Sequence, residues 1–145
     1  MTSNENDDIA ERRFHIYRHL KQLIHGMDSH RDDAARKFGL TGASLYLLVS
    51  IDKVPQCSYK DLAAYTGLAP NTVSAVVSSL ISQQIVSAEQ DCQDRRIIRL
   101  TLTDIGRRIA KDAYKLMRTG ADVNDEAICI QWVLEELDEI QNLCR

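Results

Sequence analysis

Apolar positions recur with helical spacing over most of this chain and with strand spacing in one short segment. From Ile9 to Met27 they fall on one stripe of a helix, after a polar start at residues 1–8 that we expect to be frayed. Phe38 is spaced to continue the same stripe beyond a kink near Gly26. The pattern predicts a long amphipathic first helix.

A nearly all-apolar segment follows, and it predicts a central, buried helix from Gly42 to about Lys53. Gly39 suits the C-terminal cap of the first helix, because glycine adopts a left-handed backbone conformation at little cost. Thr41 suits the N-cap of the second helix, since its hydroxyl can accept a hydrogen bond from a free N–H group of the first turn.

Two short helices joined by a glycine turn are predicted between Ser58 and Ser82. Ser58 and Asp61 resemble a capping box, Gly67 supplies the turn, and Pro70 suits the first position of a helix. On the second helix one arc is apolar, with Val73, Val76, Val77, Leu80 and Ile81. The opposite arc is small and uncharged, with Asn71, Thr72, Ser74, Ala75, Ser78, Ser79 and Ser82. This is a helix-turn-helix pattern.

A β-hairpin is predicted directly after this pair of helices. Ile85-Val86 begins one β-like segment, and residues 97–102 form a second one. Its buried face would carry the alternate residues Ile98, Leu100 and Leu102. The polar loop before it contains Asp94-Arg95-Arg96. A hairpin attached to a helix-turn-helix predicts a winged helix.

Two further helices complete the predicted fold. Thr103 suits an N-cap, and Gly120 is expected to end or bend the helix that Thr103 begins. Residues 122–144 form a last amphipathic helix, with Ile128, Trp132, Val133, Leu137, Ile140 and Leu143 on its apolar side. The simplest role for Trp132 is as an anchor in the core of a dimer.

The composition is that of a soluble globular protein, with 145 residues, 44% hydrophobic and 27% charged. No apolar run reaches the roughly 20 residues needed to span a bilayer, and the N-terminal residues lack the features of a signal peptide. We therefore expect a cytoplasmic protein of one domain, or of one compact domain with an extension. Four cysteines without paired metal-ligand spacing are expected to be free thiols: Cys57, Cys92, Cys129 and Cys144.

A net charge of −3 does not suggest a nucleic-acid partner, but the charge is unevenly distributed. Residues 90–119 carry eight Lys or Arg against four Asp or Glu, whereas residues 120–145 carry one against seven. Positive charge therefore follows the predicted wing, and negative charge lies near the C-terminus. This local asymmetry is more informative than the sum.

Six short motifs, in their order and spacing, resemble the MarR family of winged helix-turn-helix transcriptional regulators. They are Leu40-Thr41, Asp61-Leu62-Ala63, Asn71-Thr72-Val73-Ser74, Ile85-Val86, Asp94-Arg95-Arg96 and Leu102-Thr103-Asp104-Ile105-Gly106. The spacing of the last two motifs is the most specific part of the resemblance. The motifs cover about residues 40–110, and the order of elements covers the whole chain.

The resemblance implies a mainly α fold with a small β-wing. Residues 1–39 and 120–145 would form the dimerisation helices, and residues 40–119 would form the winged helix-turn-helix DNA-binding domain. It also implies an obligate homodimer on a palindromic operator in double-stranded DNA, with the helix 71–82 in the major groove. Arg96 would reach the minor groove from the tip of the wing, held in place by Asp94.

The chain departs from the family pattern in its charge. Ala75 and Ala88 stand where relatives often carry basic residues, Gln84 stands where a glycine is usual, and no Lys or Arg occurs from Asp61 through Gln93. Since phosphate attraction normally dominates affinity, we expect a modest DNA binder or one with an unusual operator. The candidate DNA-binding residues are Lys60, Asn71, Thr72, Ser74, Ser78, Asp94, Arg95, Arg96 and Arg99, with Lys53 adding positive charge. The alternatives are a solvated helix face and a surface ion pair between Arg96 and Asp94.

Effector sites are suggested by the resemblance and by single residues. Relatives often hold small anionic or phenolic ligands between their two parts, and the candidates here are Arg18, His19 and Tyr46, although Tyr46 also suits the core. Cys92 is a candidate redox thiol, because the nearby Arg95 would stabilise its thiolate. His15 shares a helix face with His19 but has no acidic or thiol partner nearby in sequence, so we predict no metal site and no cofactor.

The leading interpretation is a homodimeric DNA-binding transcriptional regulator, of the repressor type, released by a small ligand or an oxidant. The alternative is a protein-interaction module on a winged-helix scaffold, with weak or no DNA binding. The sequence contains no phosphate loop, nucleophile elbow or paired-histidine metal motif, so we do not expect an enzyme.

Overall fold

A computed structural model of the chain describes residues 2–119 and 123–145. Within these residues the elements are α1 (Ser3–Arg36), α2 (Gly42–Lys53), α3 (Tyr59–Thr66), α4 (Pro70–Ser82), β1 (Val86–Gln90), β2 (Ile98–Leu102), α5 (Asp104–Thr119) and α6 (Val123–Leu143). The fold is therefore mostly helical with a two-stranded antiparallel hairpin, which confirms the predicted fold class. The expected break at Gly120 lies outside the described residues.

The expectation of a frayed N-terminus is wrong, because α1 already begins at Ser3. The backbone N–H of Glu5 donates to Thr2 Oγ1 at 3.4 Å, and the N–H of Thr2 donates to Glu5 Oε2 at 2.7 Å. This reciprocal pair is a capping box that satisfies two N–H groups at the start of the helix. The sequence contains this Thr-x-x-Glu spacing, which predicts a helix start even though the segment is polar.

The predicted caps and turns are confirmed. Thr41 Oγ1 accepts a hydrogen bond from the N–H of Ser44 at 3.1 Å, and Ser58 forms a complete capping box with Asp61. Gly67 adopts φ +73° at the end of α3, where a side chain would be strained.

The two strands pair from Val86 opposite Leu102 to Gln90 opposite Ile98. The first strand begins one residue later than the sequence suggested, because Gln84 takes φ +59° and turns the chain between α4 and β1. Gln84 thus adopts the left-handed conformation at the position where relatives usually have a glycine. The carbonyl of Gln84 accepts a hydrogen bond from Thr103 Oγ1 at 2.6 Å, which ties the start of the hairpin to the start of α5.

The chain divides into two compact units, one comprising Met1–His30 with Gly120–Arg145 and the other comprising Arg31–Thr119. The core of the second unit is built around α2, which contacts α3, α4, β2 and α5. Its fully buried side chains include Leu45, Leu47, Leu48, Leu62, Val73, Val77, Leu80 and Leu100. The prediction of a buried, central helix from Gly42 to Lys53 is confirmed.

In the first unit, α1 and α6 bury Ile16 and Val133, each 7% exposed. Several other large apolar side chains of these helices lie on the surface of the chain: Phe14, Tyr17, Leu20, Ile24, Met27, Ile128, Ile130, Leu134 and Leu137. The apolar side predicted for the last helix is therefore only partly covered within one chain. Across residues 2–119 and 123–145, no helix combines the length and apolarity that crossing a membrane requires.

Candidate nucleic-acid interface

Helix α4 divides sharply between a buried face and an exposed one. Val73, Val77 and Leu80 are 0% exposed, and they fix the helix against the core of its unit. Four predicted contact residues are exposed on the other side: Asn71, Thr72, Ser74 and Ser78. The exposed face offers amide and hydroxyl groups at the surface, which is the chemistry that reads base edges.

The wing presents one arginine almost completely to solvent. The side chain of Arg96 is 90% exposed, and its Nε and Nη2 donate to the two carboxylate oxygens of Asp94, each at 3.0 Å. The backbone N–H of Arg96 also donates to Asp94 Oδ1 at 3.0 Å. These contacts lower the pKa of Asp94, first because of the side-chain hydrogen bond from Arg96. Arg95, its neighbour in the loop, is also exposed.

Arg99 is arranged differently, although the sequence placed it in the same group of candidates. Its Nε donates to Asp91 Oδ1 at 3.1 Å, and its Nη1 donates to the carbonyl of Gln56 at 3.4 Å. Nη1 also lies 3.7 Å from Asp61 Oδ2. Arg99 therefore contacts the wing loop, the connector before α3 and the first turn of α3.

Asp91 is a residue that the sequence interpretation missed. While its Oδ1 accepts from Arg99, its Oδ2 accepts from the backbone N–H groups of Gln93 and Asp94, both at 3.1 Å. The hydrogen bond from Arg99 is the first cause of a lowered pKa of Asp91. An aspartate that accepts from backbone groups two and three residues further on marks a turn, so the Asp91 position before the loop was the available signal.

A cleft of about 460 Å³ lies between the start of α3 and β2. Lys60 lines it from α3, Arg96 and Arg99 line it from the hairpin, and Ile97 and Ile98 add an apolar part. Three of the nine predicted DNA-binding residues are thus brought together around one concave surface. Asp61 is the acidic member of the lining, and it is already engaged by the α3 cap.

The predicted effector residues are distributed between the two units. In the first unit, the ring of His19 stacks on Trp132 with centroids 4.0 Å apart, and its Nδ1 donates to the carbonyl of His15 at 2.9 Å. Arg18 is exposed on α1. In the second unit, the Tyr46 hydroxyl donates to the carbonyl of Thr66 at 3.1 Å, which gives this side chain a structural role.

The four cysteines are free thiols in different surroundings. Cys92 is exposed in the wing loop, as a redox candidate would need to be. Cys57 is buried, and burial raises the pKa of its thiol, which makes it a poor nucleophile. Within the described ranges, no three His, Cys, Asp or Glu side chains lie close enough to hold a metal ion.

Two short helices, α3 and α4, that pack on α2 and are followed by a β-hairpin form a winged helix-turn-helix. The model of the MarR family matches residues 38–97 of the chain, which hold α2, α3, α4 and the first strand of the wing. The HTH-type transcriptional repressor MdtR of Bacillus subtilis (strain 168) is 26% identical over 87 residues. That match spans 60% of this chain and only 56% of the relative's length.

Solved structures of BpsR and MarR share the fold of this chain. Bordetella bronchiseptica BpsR superposes with a TM-score of 0.62 at 21% identity, covering 82% of this chain and 95% of that one. A mutant of MarR from E. coli in complex with operator DNA gives a TM-score of 0.70 at 17% identity, covering 84% and 92%. Together these findings show that residues 38–97 match the model of the MarR family and that the chain has a winged-helix fold.

Proposed function

We propose that the chain is a homodimeric, sequence-specific DNA-binding transcriptional regulator of the repressor type. The observation that carries the proposal is that one compact unit exposes both a base-reading helix face on α4 and a wing arginine, Arg96, with 90% of its side chain in solvent. The likeness to a MarR structure solved with operator DNA supports the same function.

In this proposal α4 enters the major groove of each operator half-site. Asn71 can make a bidentate pair with adenine, and the hydroxyls of Thr72, Ser74 and Ser78 can contact either bases or phosphates. The methyl groups of Thr72 and Ala75 suit contact with the methyl group of thymine. Since α4 has no arginine or lysine, the bidentate pair that usually recognises guanine is missing from this helix.

The wing would lie beside α4 and insert Arg96 into the minor groove. Lys60, Arg95 and Arg96 would provide the attraction to phosphate, because residues 61–93 contain no cation. Few phosphate contacts imply a shallow salt dependence, with a slope of about −0.9 in log affinity against log salt for each phosphate neutralised. Asp94 would hold Arg96 in an extended geometry until the groove replaces it as a partner.

Dimerisation is supported by the exposed apolar side chains of the first unit. Phe14 and Tyr17 on α1 are 61% and 58% exposed, and Ile128 and Leu134 on α6 are 68% and 55% exposed. Large apolar side chains grouped on the surface of a soluble chain mark an interaction site. A second copy would cover them and place two α4 helices on the two halves of a palindrome.

Release of DNA by a small ligand or an oxidant is the regulatory part of the proposal. The relative MdtR is named a transcriptional repressor, and the structure of BpsR was described in terms of DNA binding regulated by 6-hydroxynicotinic acid. The candidates in this chain are Arg18, His19 and Tyr46 for a ligand and Cys92 for an oxidant.

Retention of genomic fragments by the purified protein at low salt, followed by sequencing, tests the proposal. We expect enrichment of a palindromic site, with fragments released as salt rises. The Arg96→Ala variant should enrich this site much less. If the protein retains no DNA at low salt, the regulator function is wrong, and the exposed α4 face would instead favour a protein partner.

A further inference from the structure

Arg99 stands at the base of the wing, where three parts of the chain meet. Its guanidinium contacts the carboxylate of Asp91 in the loop, the carbonyl of Gln56 in the connector and the carboxylate of Asp61 in α3. Only 34% of its side chain is exposed, against 90% for Arg96. The donors of Arg99 are therefore directed at three separate parts of the chain, whereas Arg96 donates to Asp94 within its own loop and lies mostly in solvent.

The two carboxylate partners of Arg99 each have a second structural task. Asp91 holds the turn of the wing loop through Gln93 and Asp94, and Asp61 completes the cap of α3. Gln56 adopts φ +56°, a conformation that is uncommon for a residue with a side chain. One planar guanidinium thus joins the wing loop to the beginning of α3 through groups that are themselves fixed.

The cleft beside α3 depends on this junction. Lys60 belongs to α3 and Arg96 belongs to the wing loop, so the separation of these two cations is set by how the hairpin is held against α3. Lys60 can hold the phosphate backbone while Arg96 enters the neighbouring minor groove only if that separation is maintained. Arg99 lines the same cleft, and its contacts hold the hairpin there together with the backbone hydrogen bond from the N–H of Leu100 to the carbonyl of Cys57 at 2.8 Å.

We propose that Arg99 is a positioning residue for DNA binding, which fixes the wing against α3 so that Lys60 holds the DNA backbone while Arg96 reaches the minor groove. This positioning role rests on the proposed function, because it requires that the protein binds DNA. Arg99 itself neutralises no phosphate, because its donors remain on Asp91 and Gln56.

The test uses Arg99→Lys and Asp91→Asn, with operator affinity measured as a function of salt. Lysine keeps the charge and binds phosphate well, but it lacks the planar fork. Asparagine keeps one oxygen for the loop N–H groups and loses the acceptor for Arg99. We expect each variant to weaken binding by about tenfold. The salt slope should become shallower in both variants, although Asp91→Asn removes no cation, because a displaced wing costs Lys60 and Arg96 their contacts with DNA. The double variant should be no weaker than Arg99→Lys alone.

A direct phosphate contact makes the opposite predictions. Arg99→Lys would then bind almost as well as the unmodified protein, and Asp91→Asn would bind more tightly because a negative charge near DNA has been removed. Either result would overturn the positioning role.

A double-mutant cycle that combines Arg99→Lys with Arg96→Ala distinguishes a positioning role of Arg99 from a general weakening of the fold. If Arg99 acts through Arg96, removing Arg96 should cost much less in the Arg99→Lys background than in the unmodified protein. Independent, additive effects would contradict the proposal. Arg108→Lys on α5 is the matched control, and melting temperatures show that each variant is folded. Failure of the unmodified protein to bind DNA would overturn the proposed function and this inference together, whereas the other outcomes concern Arg99 alone.

Discussion

The guanidinium of Arg96 makes two hydrogen bonds of 3.0 Å to the carboxylate of Asp94 while 90% of its side chain remains in solvent. An ion pair in that exposed setting contributes little to stability, because water screens the two charges. Moving the Arg96 guanidinium from Asp94 into the minor groove would therefore cost little free energy. The pair keeps Arg96 extended before DNA arrives and does not compete strongly with the groove afterwards.

We expect Arg96→Ala to weaken operator binding by roughly 1–3 kcal/mol, because a groove-inserted arginine is lost. The same variant should keep the melting temperature and oligomeric state of the unmodified protein, since the side chain is 90% exposed and its ion pair with Asp94 contributes little to stability. Fluorescence anisotropy measures the operator affinity, and thermal melting gives the melting temperature. Light scattering after gel filtration gives the oligomeric state. An unchanged affinity would remove the wing tip from the interface.

The wing carboxylates set a pH dependence with a defined sign. Arg99 lowers the pKa of Asp91, and Arg96 lowers the pKa of Asp94. Their contribution to stability is complete above the ordinary carboxyl pKa of about 3.9 and is lost as the pH falls through the depressed folded-state values. Carboxyl chemical shifts followed from pH 7 downward should therefore show both residues titrating below that value. Titration at or above it would mean that the two pairs are not formed in solution.

Asn71→Ala should reduce discrimination at one adenine of the half-site by roughly 1–3 kcal/mol, because the bidentate contact is lost. The measurement compares affinity for the selected operator with affinity for operators in which single A·T pairs are changed to G·C. Ser82→Ala, at the other end of the same exposed helix face, is the control. Equal discrimination by both variants would argue that the start of α4 does not read bases.

Charge placed on the apolar surface of α6 should separate the dimer. Ile128 is 68% exposed, and we expect Ile128→Glu to shift the protein toward monomer, because dimerisation would bury an unpaired carboxylate. Ile105→Glu on α5 makes the same chemical change at a side chain that is 50% exposed, and it should leave the dimer intact. Light scattering measures the mass of each variant in solution and so distinguishes monomer from dimer. A dimer that persists in Ile128→Glu would show that Ile128 lies outside the interface.

Two glycines should respond to alanine in opposite directions. A Cβ on Gly106 would lie 2.3 Å from the carbonyl oxygen of Ile85, so Gly106→Ala should destabilise the fold by roughly 1–3 kcal/mol. A Cβ on Gly26, within α1, would meet no atom within 4 Å. Gly26→Ala should therefore stabilise the protein by up to about 1 kcal/mol, through helix propensity. Denaturant unfolding measures both, and a stabilised Gly106→Ala variant would contradict the close approach.

The features that the sequence predicted well depend on residues close together in the chain. Thr41, Ser58, Gly67 and Pro70 signal their caps and turns through neighbours at most four residues away. The same local rule would have identified the Thr2 cap, had polar composition not been given more weight. Caps and turns could be predicted because their physics is local.

The environment of Arg99 could not be predicted in this way. Its partners Gln56 and Asp61 lie about forty positions earlier in the chain, and no local pattern connects them to the hairpin. Charge patterning alone therefore placed Arg99 with the phosphate-binding candidates. Only the tertiary structure distinguishes an arginine with three protein acceptors from one that is extended into solvent.

The uncharged face of α4 has a consequence for how such a regulator would search a genome. Attraction to phosphate is the same at every sequence, and it holds regulators on the roughly 10⁶–10⁹ non-target sites with which an operator competes. A helix that reads mainly through Asn71 and hydroxyl groups contributes little to that background. Few molecules would be sequestered on non-target DNA, and a small number of copies would suffice to occupy the operator.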